Sequence, residues 1–128
     1  MMKMIVHPSL IRSIKDWESP TQILIQMEFC SGGDLDAFLE IEKRRGRKLE
    51  EEQIWKFFIQ ICLGIQYLHK NEILHHDLKP KNAFLTEDLS LKIGDVGEST
   101  SLDAILAMKE STHGTVYYMS PEMINSEK

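Results

Sequence analysis

Cysteine is scarce in this chain of 128 residues: Cys30 and Cys62 are the only two. Neither has a histidine or a second thiol at metal-ligand spacing, which excludes a disulfide scaffold and a zinc knuckle. Both are expected to be buried thiols in a reducing compartment. Long apolar runs are missing as well. Nothing approaches the roughly eighteen residues of a membrane span, and the N-terminal MMKMIV has no signal-peptide core. No membrane partner is expected, and the cytoplasm or nucleus is the expected location. Positive charge is in deficit, with 15 Lys and Arg against 20 Asp and Glu and a net charge of −5. No basic face argues for nucleic acid. The one basic cluster, Lys43-Arg44-Arg45 with Arg47-Lys48, has acidic neighbours on both sides and reads as a solvated helix end. Glycine occurs as the pair Gly32-Gly33, but no G-x-G-x-x-G is present. His69, His75 and His76 lie close together without a cysteine to complete a metal set, so a structural role is expected for them.

What the chain does contain is 42% hydrophobic and 27% charged residues, the composition of one globular unit. Residues 10–17 and 22–29 carry strand-compatible apolar residues around the turn formers Glu18-Ser19-Pro20-Thr21, which predicts a hairpin. Ser31-Gly32-Gly33 breaks the second strand. Asp34 is then placed to cap a helix over residues 35–45. A longer helix is predicted over residues 50–71, where Ile54, Phe58, Ile61, Ile65 and Leu68 form one apolar stripe. Glu50, Glu51 and Glu52 suit its positive end. Trp55, Phe57 and Cys62 widen the stripe, so both sides of this helix are expected to bury surface. Residues 83–86 and 89–93 are short strand candidates around Glu87-Asp88. From Gly97 to Pro121 the chain is rich in Ser, Thr and Gly, with a helical patch at residues 102–108. Strands of this length interleaved with two helices give an α+β fold.

The stretch that carries chemistry is residues 73–82, ILHHDLKPKN, followed by Asp95-Val96-Gly97. It offers a carboxylate, a lysine two residues on, an amide and a second carboxylate. Such a set can take a proton from a hydroxyl and hold hard cations that favour oxygen ligands. Asp77 and Asn82 are equally good turn formers, and Lys79-Pro80-Lys81 can be a solvated loop.

The motif resembles the catalytic loop H-R-D-L-x-x-x-N and the D-F-G of the eukaryotic protein kinases. The resemblance implies that Asp77 accepts the substrate hydroxyl's proton and that Lys79 neutralises charge on the transferred group. Asn82 and Asp95 would hold two magnesium ions, with ATP as cosubstrate. It further implies that Met27-Glu28-Phe29-Cys30 is the hinge along which adenine binds, with Met27 at the back of the pocket and Phe84 as its floor. Asp34 would sit at the ribose rim, although capping alone explains it. His7-Pro8-Ser9-Leu10 matches the family motif at the end of the loop after the regulatory helix. The closing run Gly114-Thr115-Val116-Tyr117-Tyr118-Met119-Ser120-Pro121-Glu122 is similar to the NIMA-related (Nek) serine/threonine kinases. In that setting Ser111 and Thr112 are candidate phosphoacceptors, or plain turn residues, and Thr115 faces the substrate.

On this resemblance residues 1–30 are a small-lobe remnant with the hinge, and residues 31–128 part of the large lobe. The Gly-rich loop, the phosphate-binding lysine and the regulatory-helix glutamate are expected to lie before Met1. His76 replaces the arginine that clamps a phosphorylated loop, and Val96 replaces the phenylalanine. With the small Ser13 aligned one layer above Val96, underfilled packing of about 1–4 kcal/mol is expected. The expectation is a serine/threonine kinase fragment, inactive as this chain, acting in its family on protein Ser/Thr. The alternative is a pseudokinase-like fragment that binds a partner, such as another kinase, without catalysis. Exposed apolar surface predicts self-association in either case, and cytoskeletal or nuclear association is an analogy to the family.

Overall fold

The computed structural model describes residues 5–96, 100–101 and 116–124. Two strands, β1 (Ser13–Glu18) and β2 (Ile23–Met27), pair antiparallel with Asp16 opposite Ile25 and Trp17 opposite Leu24. The hairpin closes through Ser19, whose amide donates to the Gln22 carbonyl at 2.8 Å and whose hydroxyl accepts from the Gln22 amide at 3.0 Å. Both strands are shorter than the predicted ones, and β1 starts late because residues 9–11 pair elsewhere. There the Ile93 amide donates to the Ser9 carbonyl and the Ile11 amide to the Ile93 carbonyl, each at 2.8 Å.

Helix α1 (Leu35–Arg44) starts where Asp34 accepts the Ala37 amide at 2.8 Å, as its spacing predicts. It ends before Gly46, whose φ of +67° suits a residue without a Cβ. Helix α2 (Glu51–Lys70) follows. Beyond it come β3 (Ile73–Leu74), β4 (Ala83–Leu85), β5 (Leu91–Ile93), β6 (Thr100–Ser101) and a short helix α3 (Pro121–Ile124). Antiparallel pairing joins β4 with β5 and β3 with β6.

The core is Leu10, Phe57, Leu68, Ala83, Leu85, Leu91 and Ile93, so α2 lies against the β4–β5 pair and the segment of residues 9–11. The inward line of α2 runs through Phe57, Gly64 and Leu68. This corrects the predicted stripe in part, since Leu68 is buried and Ile61 and Ile65 pack against the core as expected. Ile54, Trp55 and Phe58 are more than half exposed, and Cys62 is exposed although burial was expected for both thiols; Cys30 is buried. Gly64 is part of the inward line. A Cβ on it would stand 3.0 Å from Ile93 Cδ1 and 3.1 Å from the Ser9 carbonyl, so the bare backbone is what packs there. Hydrophobic periodicity gives such a contact no weight. Among the described residues no helix is long and apolar enough to cross a membrane.

Candidate active site

β3 delivers the chain into a loop anchored by His75. This buried imidazole donates from Nε2 to the Gly94 carbonyl at 2.8 Å, which ties the loop to the end of β5. His76 then adopts a left-handed φ of +60°, and the Asp77 amide turns back to the His75 carbonyl at 2.8 Å. Asp77 is only 8% exposed. Its carboxylate pairs with the Lys79 ammonium and accepts from Asn82 Nδ2 at 3.0 Å. The same amide group donates to the Asp77 carbonyl at 2.8 Å, so Asn82 grips that residue twice. Pro80–Asn82 forms a single 3-10 turn that brings the amide back over a five-residue separation. Pro at its start supplies the fixed φ and has no amide to leave unpaired.

Asn82 in turn accepts the Gly94 amide on its carbonyl at 2.8 Å, and the next residue, Asp95, turns with a φ of +59°. Asn82 and Asp95 both line a cleft of about 700 Å³, together with Met27, Glu28, Phe29, Cys30, Asp34, Phe84 and Val96. Asn82 and Asp95 therefore share one cleft, and Asp77, which does not line it, is joined to it through Asn82. Two oxygen donors, one of them charged, suit a small hard cation that retains waters and phosphate oxygens. Met27 is 53% exposed at the cleft wall and is not a core methionine. The Phe84 ring rests against Gly94: a Cβ there would fall 2.6 Å from its Cε2, so glycine is what lets the ring approach that closely.

A family model described as protein kinase domain matches residues 1–128. The chain belongs to the protein kinase family. It is similar to the serine/threonine-protein kinase Nek4 of mouse, 38% identical over 128 residues that make up 99% of this chain and 16% of that protein. Mouse Nek3 is 38% identical over 117 residues, 91% of this chain and 22% of that protein. Human Nek11 is 39% identical over 121 residues, 94% of this chain and 19% of that protein. The chain thus spans less than a quarter of the length of these relatives. The small α+β arrangement of short antiparallel strand pairs and helices is that of a protein kinase domain fragment.

Within the protein kinase family frame, one wall of the cleft holds an arrangement that sequence reasoning missed. Lys92 of β5 donates from Nζ to both carboxylate oxygens of Glu28 at 3.0 Å each. Glu28 Oε1 also accepts the Arg12 amide at 2.6 Å. Burial alone pushes the Glu28 carboxyl up, but the Arg12 amide and the Lys92 charge outweigh it and hold its pKa below the usual value. Burial, and then the Glu28 charge, push the neighbouring Cys30 thiol up. This makes Cys30 an inert wall and a poor nucleophile. Asp34 lines the cleft and caps α1 at once, which bears out the capping reading. The residues expected to carry phosphate or face substrate, Ser111, Thr112 and Thr115, lie outside the described residues, as does the helical patch at residues 102–108. No group of three or more His, Cys, Asp or Glu able to hold a metal ion occurs among the described residues.

Proposed function

We propose that this chain carries the phosphoryl-transfer site of an ATP-dependent serine/threonine protein kinase. The observation that supports it most directly is the Asp77 carboxylate held between Lys79 and Asn82, with Asn82 and Asp95 lining one cleft. In this reading Asp77 orients the acceptor hydroxyl and takes its proton, and Lys79 offsets charge on the transferred group. Asn82 and Asp95 hold magnesium, which when bound neutralises the phosphate oxygens. The Glu28–Cys30 backbone meets the adenine edge, Met27 closes the back of the slot, Phe84 supports the ring from below, and Asp34 reaches the ribose side. Thr115 faces the substrate hydroxyl, while Ser111 and Thr112 take phosphate themselves. The compartment that fits two free thiols is the cytoplasm.

The test is nucleotide binding to the whole chain with and without Mg²⁺. ATP is expected to bind more tightly with Mg²⁺, and Asp95→Asn is expected to remove that gain while leaving adenosine binding unchanged. ATP binding indifferent to Mg²⁺ refutes the assignment. Because these 128 residues contain no G-x-G-x-x-G loop, labelled-phosphate transfer by the chain alone is expected at the level of the Asp95→Asn control.

A second reading, a pseudokinase-like fragment that associates with a partner kinase or with itself, is favoured by one observation. Ile54, Trp55, Phe58, Ile59 and Leu63 of α2 are all exposed, Trp55 and Phe58 packing edge to face at 5.8 Å. Concentration-dependent sedimentation that Phe58→Ser abolishes would support its self-association, and a monomer at every concentration would refute that part of it.

A further inference from the structure

The ion pairs Glu40–Lys43, Glu42–Arg45 and Asp77–Lys79 join residues two or three apart in the chain. Lys92–Glu28 joins residues 64 apart and bridges the end of β2 to β5. Its side chains are 19% and 25% exposed, so solvent screens it less than a surface pair. Both carboxylate oxygens are used, and the geometry repeats in the backbone: the Glu28 amide donates to the Arg12 carbonyl at 3.0 Å while Oε1 accepts the Arg12 amide.

Lys92 stands directly opposite Phe84 in the β4–β5 register, and residues paired in this way share one face of a sheet. The ammonium therefore rises beside the ring that floors the cleft and grips the residue that begins its wall. At the other end of that wall the Gly32 amide donates to the Leu85 carbonyl at 2.9 Å and the Leu85 amide to the Gly33 carbonyl at 2.8 Å. The segment from Glu28 to Gly33 is thus pinned to the β4–β5 pair at both ends. The ion pair makes the first pin and backbone hydrogen bonds make the second.

We propose that Lys92 and Glu28 form a latch that sets the gap between the hinge segment and Phe84, which makes Lys92 a positioning residue for a planar base in the cleft. The proposal rests on the adenine reading of that cleft given above. The latch touches no reacting atom and acts through the Glu28–Cys30 backbone.

Two measurements on the whole chain test it. Amide hydrogen exchange at Arg12 reports the latch without any ligand. In Lys92→Met it is expected to accelerate about tenfold, equivalent to about 1.4 kcal/mol, with Gly32 and Leu85 exchanging as before. Lys92→Arg keeps the charge and both donors and is expected to restore slow exchange. Adenosine, which engages neither the metal nor the phosphate end, is the ligand for the second arm. Its dissociation constant is expected to rise roughly five- to tenfold in Lys92→Met and to recover in Lys92→Arg. Unchanged exchange at Arg12, or equal acceleration at Gly32 and Leu85, overturns the latch, since the pair would then serve global stability alone. Altered exchange with unaltered adenosine affinity overturns the positioning role. If the unsubstituted chain binds no adenosine, the adenine reading of the cleft falls, and the exchange arm still decides the latch.

Discussion

Gly64→Ala pits two opposing effects against each other at the contact between α2 and β5. In an exposed helix the change would stabilise by about 1 kcal/mol, because glycine loses more backbone freedom on folding. Here the new methyl meets Ile93 Cδ1 at 3.0 Å, the Ser9 carbonyl at 3.1 Å and Leu10 Cδ2 at 3.2 Å. Ile93 and Leu10 are fully buried. The Ser9 carbonyl cannot retreat cheaply, because it accepts the Ile93 amide at 2.8 Å. Overpacking of a filled core costs about 1–3 kcal/mol, so the net expectation is a loss of about 1 kcal/mol. Urea titration of the whole chain should show a lower midpoint with an unchanged slope. Ile93→Val removes the nearest atom and alone costs about 0.5–1.5 kcal/mol. Combined with Gly64→Ala it should cost about 1 kcal/mol less than the sum of the two. A Gly64→Ala chain as stable as the parent, or strict additivity in the pair, would refute the argument that this crossing is limited by volume.

Other substitutions probe the loop and its supports. Asn82→Ala removes two donors to Asp77 and is expected to cost roughly 1.5–3 kcal/mol in urea unfolding, with Asn82→Asp costing more because it sets a second carboxylate against Asp77. Glu72 is exposed with a φ of +61°, so Glu72→Gly should raise the unfolding free energy in urea by about 0.5 kcal/mol, the relief of left-handed strain less the entropy of glycine. Acid should weaken the fold at two places. Burial lowers the His7 pKa, and its Nδ1 accepts the Ser9 amide at 3.1 Å, so the stability due to neutral His7 is complete above about pH 6.5 and is lost as pH falls through its lower folded value. The Glu28 carboxyl is likewise depressed in the fold. Its contribution is complete above about pH 4.5 and is lost as pH falls through the lower folded value, so the stability difference between Lys92→Met and the parent should narrow as the solution is acidified below that range.

The local parts of this molecule were legible in its sequence. Asp34 caps a helix through the Ala37 amide three residues on, and Asn82 reaches Asp77 within one turn, so adjacent letters carry the geometry. The existence of both helices and of the β4–β5 hairpin follows from periodicity and turn chemistry in the same way. What stayed hidden depends on residues far apart. The Lys92–Glu28 pair spans 64 positions, and the β3–β6 pairing joins Leu74 to Thr100, with no local signal for either. The periodic stripe of α2 holds at Ile61, Ile65 and Leu68 and fails at Ile54 and Phe58, and it gives no weight to Gly64, which makes a close approach without a side chain to count. Cys62 followed the stripe on paper and faces outward in the fold.

These long-range ties converge on β5 and the residue after it. Leu91 donates its amide to Gln60 Oε1 of α2 at 2.8 Å, Lys92 holds Glu28, and Ile93 pairs on its backbone with Ser9 and Ile11. Gly94 follows, with its amide on Asn82 and its carbonyl on His75. Four consecutive residues thus collect the longer helix, the cleft wall, the segment before β1 and the loop of Asp77. Asp95 comes next, at a left-handed φ that leaves its direction dependent on the peptide before it. A carboxylate placed that way takes its position from the register of β5, and the register is fixed from four directions. Gly64 packs on Ile93, two residues before Asp95, so Gly64→Ala is expected to disturb the peptides at Gly94 and Asp95 as well as α2, which faster amide exchange at those two positions would report. That is why a core substitution on the far side of β5 is expected to bear on the Asp95 side of the cleft as well as on stability.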